Sequence, residues 1–380
     1  MQTLDIAARQ VRRRLRAGGL SAAGLALGAC GVKHVPTSAV AQRGPGRGPW
    51  RPADAATHGL SVQALDRAAD ALGVAQERHG PVIIRGGRLV YERYYANAWH
   101  RADPRWRNVS FSSGKSWGAT LVGRALTQGR LKLDDLASDY HPARVSGLQP
   151  RTTIRHLLTM TSGGTLNVKP SSKPPRRLDQ PTASGPGVDY EWQVKGEPGS
   201  PEGYGRTIAP GTTFYYDGAA ADHLADIVAA AVGEPSHGYM MREVVQALGC
   251  EDFAYQNEGI DPRGNIRIGG SITLSCRDMA RLGQLYLDKG VWSGRRLIDA
   301  TFITEALSPS PLNRGYGFLW WLNTDGRVAS APRSMAFAAG ARGQFCFVLP
   351  DQDLVVATMG FGREQLSVEK AWAVLAPALL

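Results

Sequence analysis

The sequence Ser112-Ser113-Gly114-Lys115 decides how the rest of the chain is interpreted. Apolar residues at helical spacing follow it, among them Trp117, Leu121 and Val122, so the sequence predicts a helix that begins near Ser112. Residues three positions apart share one face of a helix, which brings the Lys115 amine within reach of the Ser112 hydroxyl. The positive end of the helix dipole favours a developing alkoxide and disfavours a protonated lysine. These four residues therefore predict a nucleophile and its proton acceptor.

The composition is that of a globular protein with a basic N-terminus. The chain has 380 residues, of which 43% are hydrophobic and 20% are charged, and it can bury a sizeable core. Its net charge is +11; five arginines against Asp5 give the first 30 residues +4, which leaves +7 for the remainder. Downstream there is no basic run with interleaved aromatic residues, so we expect a solvated basic surface and no nucleic-acid partner.

The N-terminal segment has the features of a targeting signal. An arginine-rich stretch precedes an apolar run over residues 17–30 that is too short to span a bilayer. The run ends in Leu27-Gly28-Ala29-Cys30, which resembles the cleavage box of bacterial lipoproteins. We therefore expect a lipoprotein-type signal peptide over residues 1–30 and an exported, periplasmic protein attached to the membrane through lipidated Cys30. An ordinary signal peptide and a misassigned start codon remain open.

A linker and one large domain are predicted to follow this signal. Residues 31–60 contain several prolines, glycines and arginines, and this composition predicts a flexible linker. From residue 61 onward, strand patterns lie at both ends of the chain and helical patterns lie between them. The sequence thus predicts an α+β domain over residues 61–380. Its antiparallel sheet lobe would lie at about 61–110 and 268–380, and its helical lobe at about 111–267.

Individual elements support this division. Ser61 is a candidate N-cap for a first helix, and a hairpin is predicted over residues 81–94. Helices are predicted to open at Thr152-Thr153, ending at Gly163-Gly164, and over three later stretches, namely 219–232, 236–248 and 277–287. Strands are predicted at 316–321, 344–349 and 354–358. Residues 165–208 lack apolar periodicity, and we expect either a loop over the site or disorder.

Cysteines and histidines point to no metal or organic cofactor. A disulfide between Cys250 and Cys276 is possible, but buried free thiols, including Cys346, are an equal alternative. The eight histidines are scattered, and none forms a pair at i, i+4 with a glutamate, as a zinc motif would.

Several segments in order resemble the serine β-lactamase and penicillin-recognising superfamily, in its class C-like branch of esterases and 6-aminohexanoate-oligomer hydrolases. Ser112-Ser113-Gly114-Lys115 fits its Ser-x-x-Lys motif. Four later segments also resemble its motifs, namely 157–163 with Met160 in place of His, 210–216, 277–281 and 340–344. A second Ser-x-x-Lys, Ser367-Val368-Glu369-Lys370, has no tyrosine motif after it and is predicted to be a surface pair. The resemblance implies the β-lactamase/transpeptidase-like fold.

The resemblance also implies roles for residues. Ser112 would attack a carbonyl carbon, Lys115 would accept its proton, and Tyr216 would pass a proton to the leaving group. Tyr215 competes for the last role, but the spacing from the preceding Phe selects Tyr216. The backbone N–H groups of Ser112 and Ala341 would form the oxyanion hole. Gly340 would let substrate approach the strand, and Arg342 would contribute positive charge.

Two departures from the family pattern bear on the substrate. The third motif has Ala338-Ala339-Gly340 where Lys-Thr-Gly is usual, which removes the groups that would hold a carboxylate. The second motif has Tyr216-Asp217-Gly218 in place of Tyr-x-Asn. An ester or amide hydrolase acting on a small molecule is therefore the first hypothesis. A β-lactamase or D-Ala-D-Ala carboxypeptidase is the second, and an inactive, lipid-anchored binding protein of the same fold is the third.

Overall fold

The computed structural model describes residues 43–141, 148–165, 207–256, 259–269 and 272–380. The predicted signal peptide with Cys30 and most of the insert at 165–208 lie outside these ranges. Within them, every helix is too short or too polar to cross a membrane.

The strands of the described residues are, in chain order, β1 (Gly80–Arg85), β2 (Arg88–Glu92), β3 (Asn108–Val109), β4 (Gly164–Thr165), β5 (Thr207–Ile208), β6 (Phe253–Tyr255), β7 (Ile272–Leu274), β8 (Val291–Trp292), β9 (Arg295–Arg296), β10 (Trp321–Leu322), β11 (Ala336–Gly340), β12 (Gln344–Leu349) and β13 (Leu354–Met359). The helices are α1 (Val62–Asp70), α2 (Gly114–Thr127), α3 (Ala137–Tyr140), α4 (Ile154–Leu158), α5 (Gly218–Val232), α6 (Ser236–Met240), α7 (Gln246–Leu248), α8 (Cys276–Leu287), α9 (Ala300–Ala306) and α10 (Val368–Leu379).

A six-stranded antiparallel sheet in the order β10-β11-β12-β13-β1-β2 forms the centre of the fold. β1 pairs with β13 along its whole length, from Gly80 opposite Met359 to Arg85 opposite Leu354. This pairing joins the N-terminal hairpin to the C-terminal strands, as the sequence pattern predicts. The α+β fold class is confirmed.

Helices cover both faces of this sheet because successive residues of a strand point to opposite sides. On β12 the Cys346 thiol contacts the carbonyl of Met279 in α8. The next residue, Phe347, packs on Trp372 of α10 with 5.8 Å between ring centroids. β12 and β13 are buried along their whole length, which explains their continuous apolar sequences.

The helices of the central part pack around α5. α2, α3 and α4 each contact it. The ends of the insert come together as well, because β4 pairs with β5. A small sheet in the order β3-β7-β6 lies beside the start of the Ser112 segment.

The predicted linker at 31–60 is wrong for residues 43–60, which belong to the folded domain. Trp50 is buried, and its indole N–H donates to the carbonyl of Arg277 at 3.1 Å. The Arg281 guanidinium donates to the carbonyls of Gly46 and Gly48 at 2.9 and 2.8 Å. The Gly- and Pro-rich composition allows this irregular path, but its order comes from residues of α8 that lie far away in the sequence.

Two elements are shorter than the sequence predicts. The predicted strand at 316–321 is a turn, in which Leu319 has a φ of 56° and only Trp321 enters β10. The predicted helix after Thr153 ends at Leu158 rather than at Gly163, because Met160 also adopts a positive φ, of 58°. The Leu319 carbonyl accepts from the Ser116 hydroxyl at 2.8 Å, and the Met160 carbonyl accepts from the Tyr215 N–H at 3.0 Å. A left-handed conformation at a residue other than glycine is costly, so packing must hold it.

Candidate active site

Ser112 lies in a single tight turn, Phe111–Ser113, immediately before α2. Phe111 has a φ of 46°, an unusual value for a bulky residue and one that surrounding structure must stabilise. Its ring packs on Phe361 at 5.5 Å. Ser113 is unsuited as a nucleophile because it is buried and its hydroxyl donates to the Ser110 carbonyl at 2.7 Å. Ser112, by contrast, is half-buried.

Lys115 is buried beside Ser112. Its Nζ lies 3.2 Å from the Ser112 Oγ and 3.1 Å from the carbonyl oxygen of Gly269. Only 3% of the lysine is exposed. The structure therefore brings together the pair that the sequence identifies, and it adds an acceptor from a loop 154 residues away.

Asp222 supports that loop. Its Oδ1 accepts the Gly269 N–H at 2.8 Å, so a carboxylate on α5 holds the residue whose carbonyl receives the Lys115 amine. Burial raises the pKa of Asp222, while the Gly269 N–H and the charge of Lys115 act in the opposite direction. Sequence reasoning missed both Asp222 and Gly269. The one available signal was that Asp222 shares α5 with Gly218, two residues after Tyr216.

Tyr216 contacts the same lysine. The Lys115 Nζ lies 4.8 Å from the centre of the Tyr216 ring, and this ring stacks on Trp321 at 5.6 Å. Tyr215 is held elsewhere, since its hydroxyl donates to the Gly163 carbonyl. This arrangement favours Tyr216 over Tyr215, as the spacing predicts.

Tyr316 completes an aromatic wall around Tyr216. Its ring meets that of Tyr216 edge-on at 6.3 Å and that of Trp321 at 4.7 Å. Burial and the neighbouring Tyr216 hold the pKa of Tyr316 well above its ordinary value, so it remains a neutral phenol. The sequence pattern does not indicate this wall, because it predicts one strand that contains both Tyr316 and Trp321.

The end of β11 lies against the Ser112 turn. A Cβ at Gly340 would lie 2.2 Å from the carbonyl oxygen of Ser110 and 3.0 Å from the Ser113 nitrogen. No side chain fits there, so glycine is required for this close approach. Ala341 follows directly, at the turn into β12.

The family resemblance implies that Arg342 contributes positive charge to the site, but the contacts of Arg342 in the structure are with Arg363 and Gln365. It is exposed, its backbone N–H donates to the Gln365 side chain at 2.7 Å, and its guanidinium donates to the Arg363 carbonyl at 3.4 Å. Its own carbonyl accepts from Arg78.

Arg78 is a buried residue that sequence reasoning missed. Besides Arg342, it donates to the carbonyls of Gly360 at 3.0 Å and Glu364 at 2.7 Å. Burial lowers its pKa to about 10. Arg78 therefore joins the turn after Gly340 to the segment that follows β13 through three backbone carbonyls, without a carboxylate among those contacts.

Comparison with known proteins agrees with this architecture. The model of the Beta-lactamase family matches residues 62–376 of the chain. The chain belongs to the Beta-lactamase family. A relative named Beta-lactamase, from Pseudomonas fluorescens, is 27% identical over 194 residues, which cover 50% of this chain and 49% of the relative. A relative named 6-aminohexanoate-dimer hydrolase, from Paenarthrobacter ureafaciens, is 24% identical over 72% of this chain and 67% of its own length.

A solved structure with a similar fold is that of EstCE1. EstCE1, described as a hydrolase with promiscuous acyltransferase activity, superposes with a TM-score of 0.61 at 17% identity. The match covers 85% of this chain and 99% of EstCE1. The resemblance inferred from the ordered motifs is thus confirmed at the level of family and fold.

Other candidates of the sequence have ordinary structural roles. Ser367 caps α10 by accepting the Lys370 N–H at 3.2 Å. Cys250, Cys276 and Cys346 are free thiols. Burial raises the pKa of Cys276 to about 12, so it is a poor nucleophile. The sequence analysis expects no metal site, yet His141, His223 and Asp226 come together on one side of α5.

Proposed function

We propose that this protein is a serine hydrolase that cleaves an ester or amide through an acyl-enzyme on Ser112. The observation that carries the proposal is the 3.2 Å separation of Lys115 Nζ and Ser112 Oγ in a largely buried setting. This separation lies within hydrogen-bond reach, as a nucleophile and its base require. Membership of the Beta-lactamase family supports the same chemistry.

The chain's own residues supply the steps. Lys115 acts as the general base and takes the proton of Ser112 as the serine Oγ forms a bond to the carbonyl carbon. The negative charge then moves to the substrate oxygen, where the N–H groups of Ser112 and Ala341 stabilise it. Tyr216 protonates the leaving group as the ester or amide bond breaks, and a water molecule activated by the same groups later releases the acyl chain.

The residues around Ser112 favour a substrate that does not need a carboxylate group in order to bind. Ala338 and Ala339 are buried and apolar where the family pattern has a cation and a hydroxyl. The Arg342 guanidinium donates to the Arg363 carbonyl, so a role in substrate binding requires this side chain to turn away from that carbonyl. An esterase or amidase fits these features better than a β-lactamase or D-Ala-D-Ala carboxypeptidase does. The relative named 6-aminohexanoate-dimer hydrolase supports an amide as one substrate class.

Labelling by a fluorophosphonate tests the proposal most directly, since only an activated serine reacts. We expect labelling of the wild type, loss of labelling in Ser112→Ala, and slow labelling in Lys115→Ala. Ser367→Ala is the matched control, because it removes the serine of the second Ser-x-x-Lys pattern, and it should label like the wild type. Absence of any labelling in folded wild type would favour the inactive binding protein.

Two substrates separate the hydrolase hypotheses. A short-chain p-nitrophenyl ester should be hydrolysed by the wild type and not by Ser112→Ala. A fluorescent penicillin should leave little covalent adduct in intact-mass spectra. Rapid and lasting acylation by the penicillin would instead support the carboxypeptidase.

We also propose that the protein is exported and held at a membrane by lipidated Cys30. The sequence Leu27-Gly28-Ala29-Cys30 supports this proposal. Radiolabelled palmitate should enter the wild type and not Cys30→Ser. Equal incorporation into both would contradict it.

A further inference from the structure

Two histidines and one aspartate come together at α5. His141 directly follows α3, whereas His223 and Asp226 lie one turn apart on α5. The Nε2 of His141 is 3.7 Å from the Oδ2 of Asp226, and the two imidazole rings are 5.4 Å apart. One ligand atom from each of the three residues lies within 4.8 Å of the others.

The carboxylate of this cluster is oriented by neighbours. Asp226 Oδ1 accepts from the Asn265 amide at 2.7 Å and from the Arg263 guanidinium at 2.7 Å. Its Oδ2 is thereby left on the side of His141. Hydrogen bonds that fix a ligating carboxylate from behind are a regular feature of protein metal sites. The Arg263 guanidinium also forms an ion pair with Asp261 at 2.6 Å, and its side chain is largely exposed. Both features weaken its neutralisation of the Asp226 charge.

The local charge also favours a cation. Asp217, Asp222 and Asp226 all act on His223 with negative charge. An imidazole offers a metal ion the lone pair of its unprotonated ring nitrogen.

We propose that His141, His223 and Asp226 bind a divalent transition metal ion of the zinc type. Two imidazoles and a carboxylate suit Zn²⁺ or Co²⁺, whereas Mg²⁺ and Ca²⁺ prefer oxygen ligands. Bonds of about 2.0–2.2 Å around Zn²⁺ place neighbouring donor atoms roughly 3.3 Å apart, so the ligand atoms, now within 4.8 Å of one another, approach by up to about 1.5 Å on binding. Solvent completes the coordination. The ion would link the end of α3 to α5, the helix that also carries Asp222. This inference does not depend on the proposed hydrolase activity.

Titration calorimetry on the untagged full chain, freed of metal by EDTA and desalted, tests the site. We expect one equivalent of ZnCl2 to bind, to raise the thermal midpoint, and to be undisturbed by excess MgCl2. His223→Ala should weaken binding by at least about tenfold. His58→Ala, which removes a histidine outside the cluster, should bind as the wild type does. Circular dichroism checks that each variant folds.

The other results of these experiments also decide whether the proposed metal site exists. No zinc binding, or equal binding by the wild type and His223→Ala, overturns the proposal. If His223→Ala does not fold, His141→Gln takes its place. If neither folds, the visible spectrum of the Co²⁺-loaded wild type decides, since four-coordinate Co²⁺ gives an intense band and loosely bound, hydrated Co²⁺ does not.

Discussion

Replacing Asp222 tests whether the position of Lys115 depends on a carboxylate that never touches the serine. Asp222 Oδ1 accepts the Gly269 N–H at 2.8 Å, and the Gly269 carbonyl accepts from Lys115 at 3.1 Å. Asp222→Ala removes the first of these bonds and leaves the loop free to shift. Asp222→Asn keeps an oxygen that can accept the same N–H but removes the charge.

The magnitude follows from the kind of bond that is lost. A hydrogen bond to a charged group contributes about 1.5–3 kcal/mol. Because about 1.4 kcal/mol corresponds to a tenfold change in rate, Asp222→Ala should lower kcat/KM by about 10- to 100-fold. Asp222→Asn retains a neutral hydrogen bond worth about 1 kcal/mol, so it loses about 0.5–2 kcal/mol and should lower kcat/KM by about 2- to 30-fold. The decrease should fall on kcat, since Lys115 acts on the proton of Ser112 and not on substrate binding.

The assay is p-nitrophenyl ester hydrolysis with the fluorophosphonate labelling rate measured beside it. Asp139→Asn is the matched control, because Asp139 is exposed on α3, a helix that also packs against α5. It should leave both rates unchanged. Wild-type rates in folded Asp222→Ala would refute the reasoning, and equal losses in the alanine and asparagine variants would show that charge, not the hydrogen bond, is what matters.

Three further predictions concern the framework of the site. Arg78→Met should lower the free energy of unfolding by about 3 kcal/mol in urea titrations, because buried carbonyls lose their donors, and unchanged stability would contradict this. Gly340→Ala should abolish most ester hydrolysis and destabilise the fold by about 1–3 kcal/mol, because its Cβ would lie 2.2 Å from the Ser110 carbonyl oxygen and 3.0 Å from the Ser113 nitrogen. An active and stable variant would contradict this prediction and show that the strand can move. Burial lowers the pKa of His79 from 6.5 to about 4. The unfolded chain therefore binds a proton that the folded chain does not, and stability should fall by about 2 kcal/mol between about pH 7 and about pH 5. His79→Gln should show a smaller fall, and an identical pH dependence in both proteins would contradict the assignment.

Much of the fold could be predicted because its signals are local. The β1–β2 hairpin follows from an apolar run and the Gly86-Gly87 turn, and Ser61 caps α1 by accepting the Ala64 N–H at 3.3 Å. The errors arose where distant contacts override local composition. The segment around Trp50 contains the prolines and glycines of a linker, yet α8 holds it in place. The predicted strand at 316–321 fails at Leu319, whose positive φ no pattern of strand-forming residues indicates.

The candidate site divides in the same way. The sequence by itself determined the pairing of Ser112 with Lys115, because three residues along a helix fix which side chains meet. It also determined the order of the motifs and the choice of Tyr216. Only the tertiary structure decided what surrounds the pair. The Gly269 carbonyl reaches Lys115 from 154 residues away, and the Arg78 guanidinium reaches Glu364 across 286 residues. Such contacts depend on how whole helices and strands pack, and no local spacing encodes them.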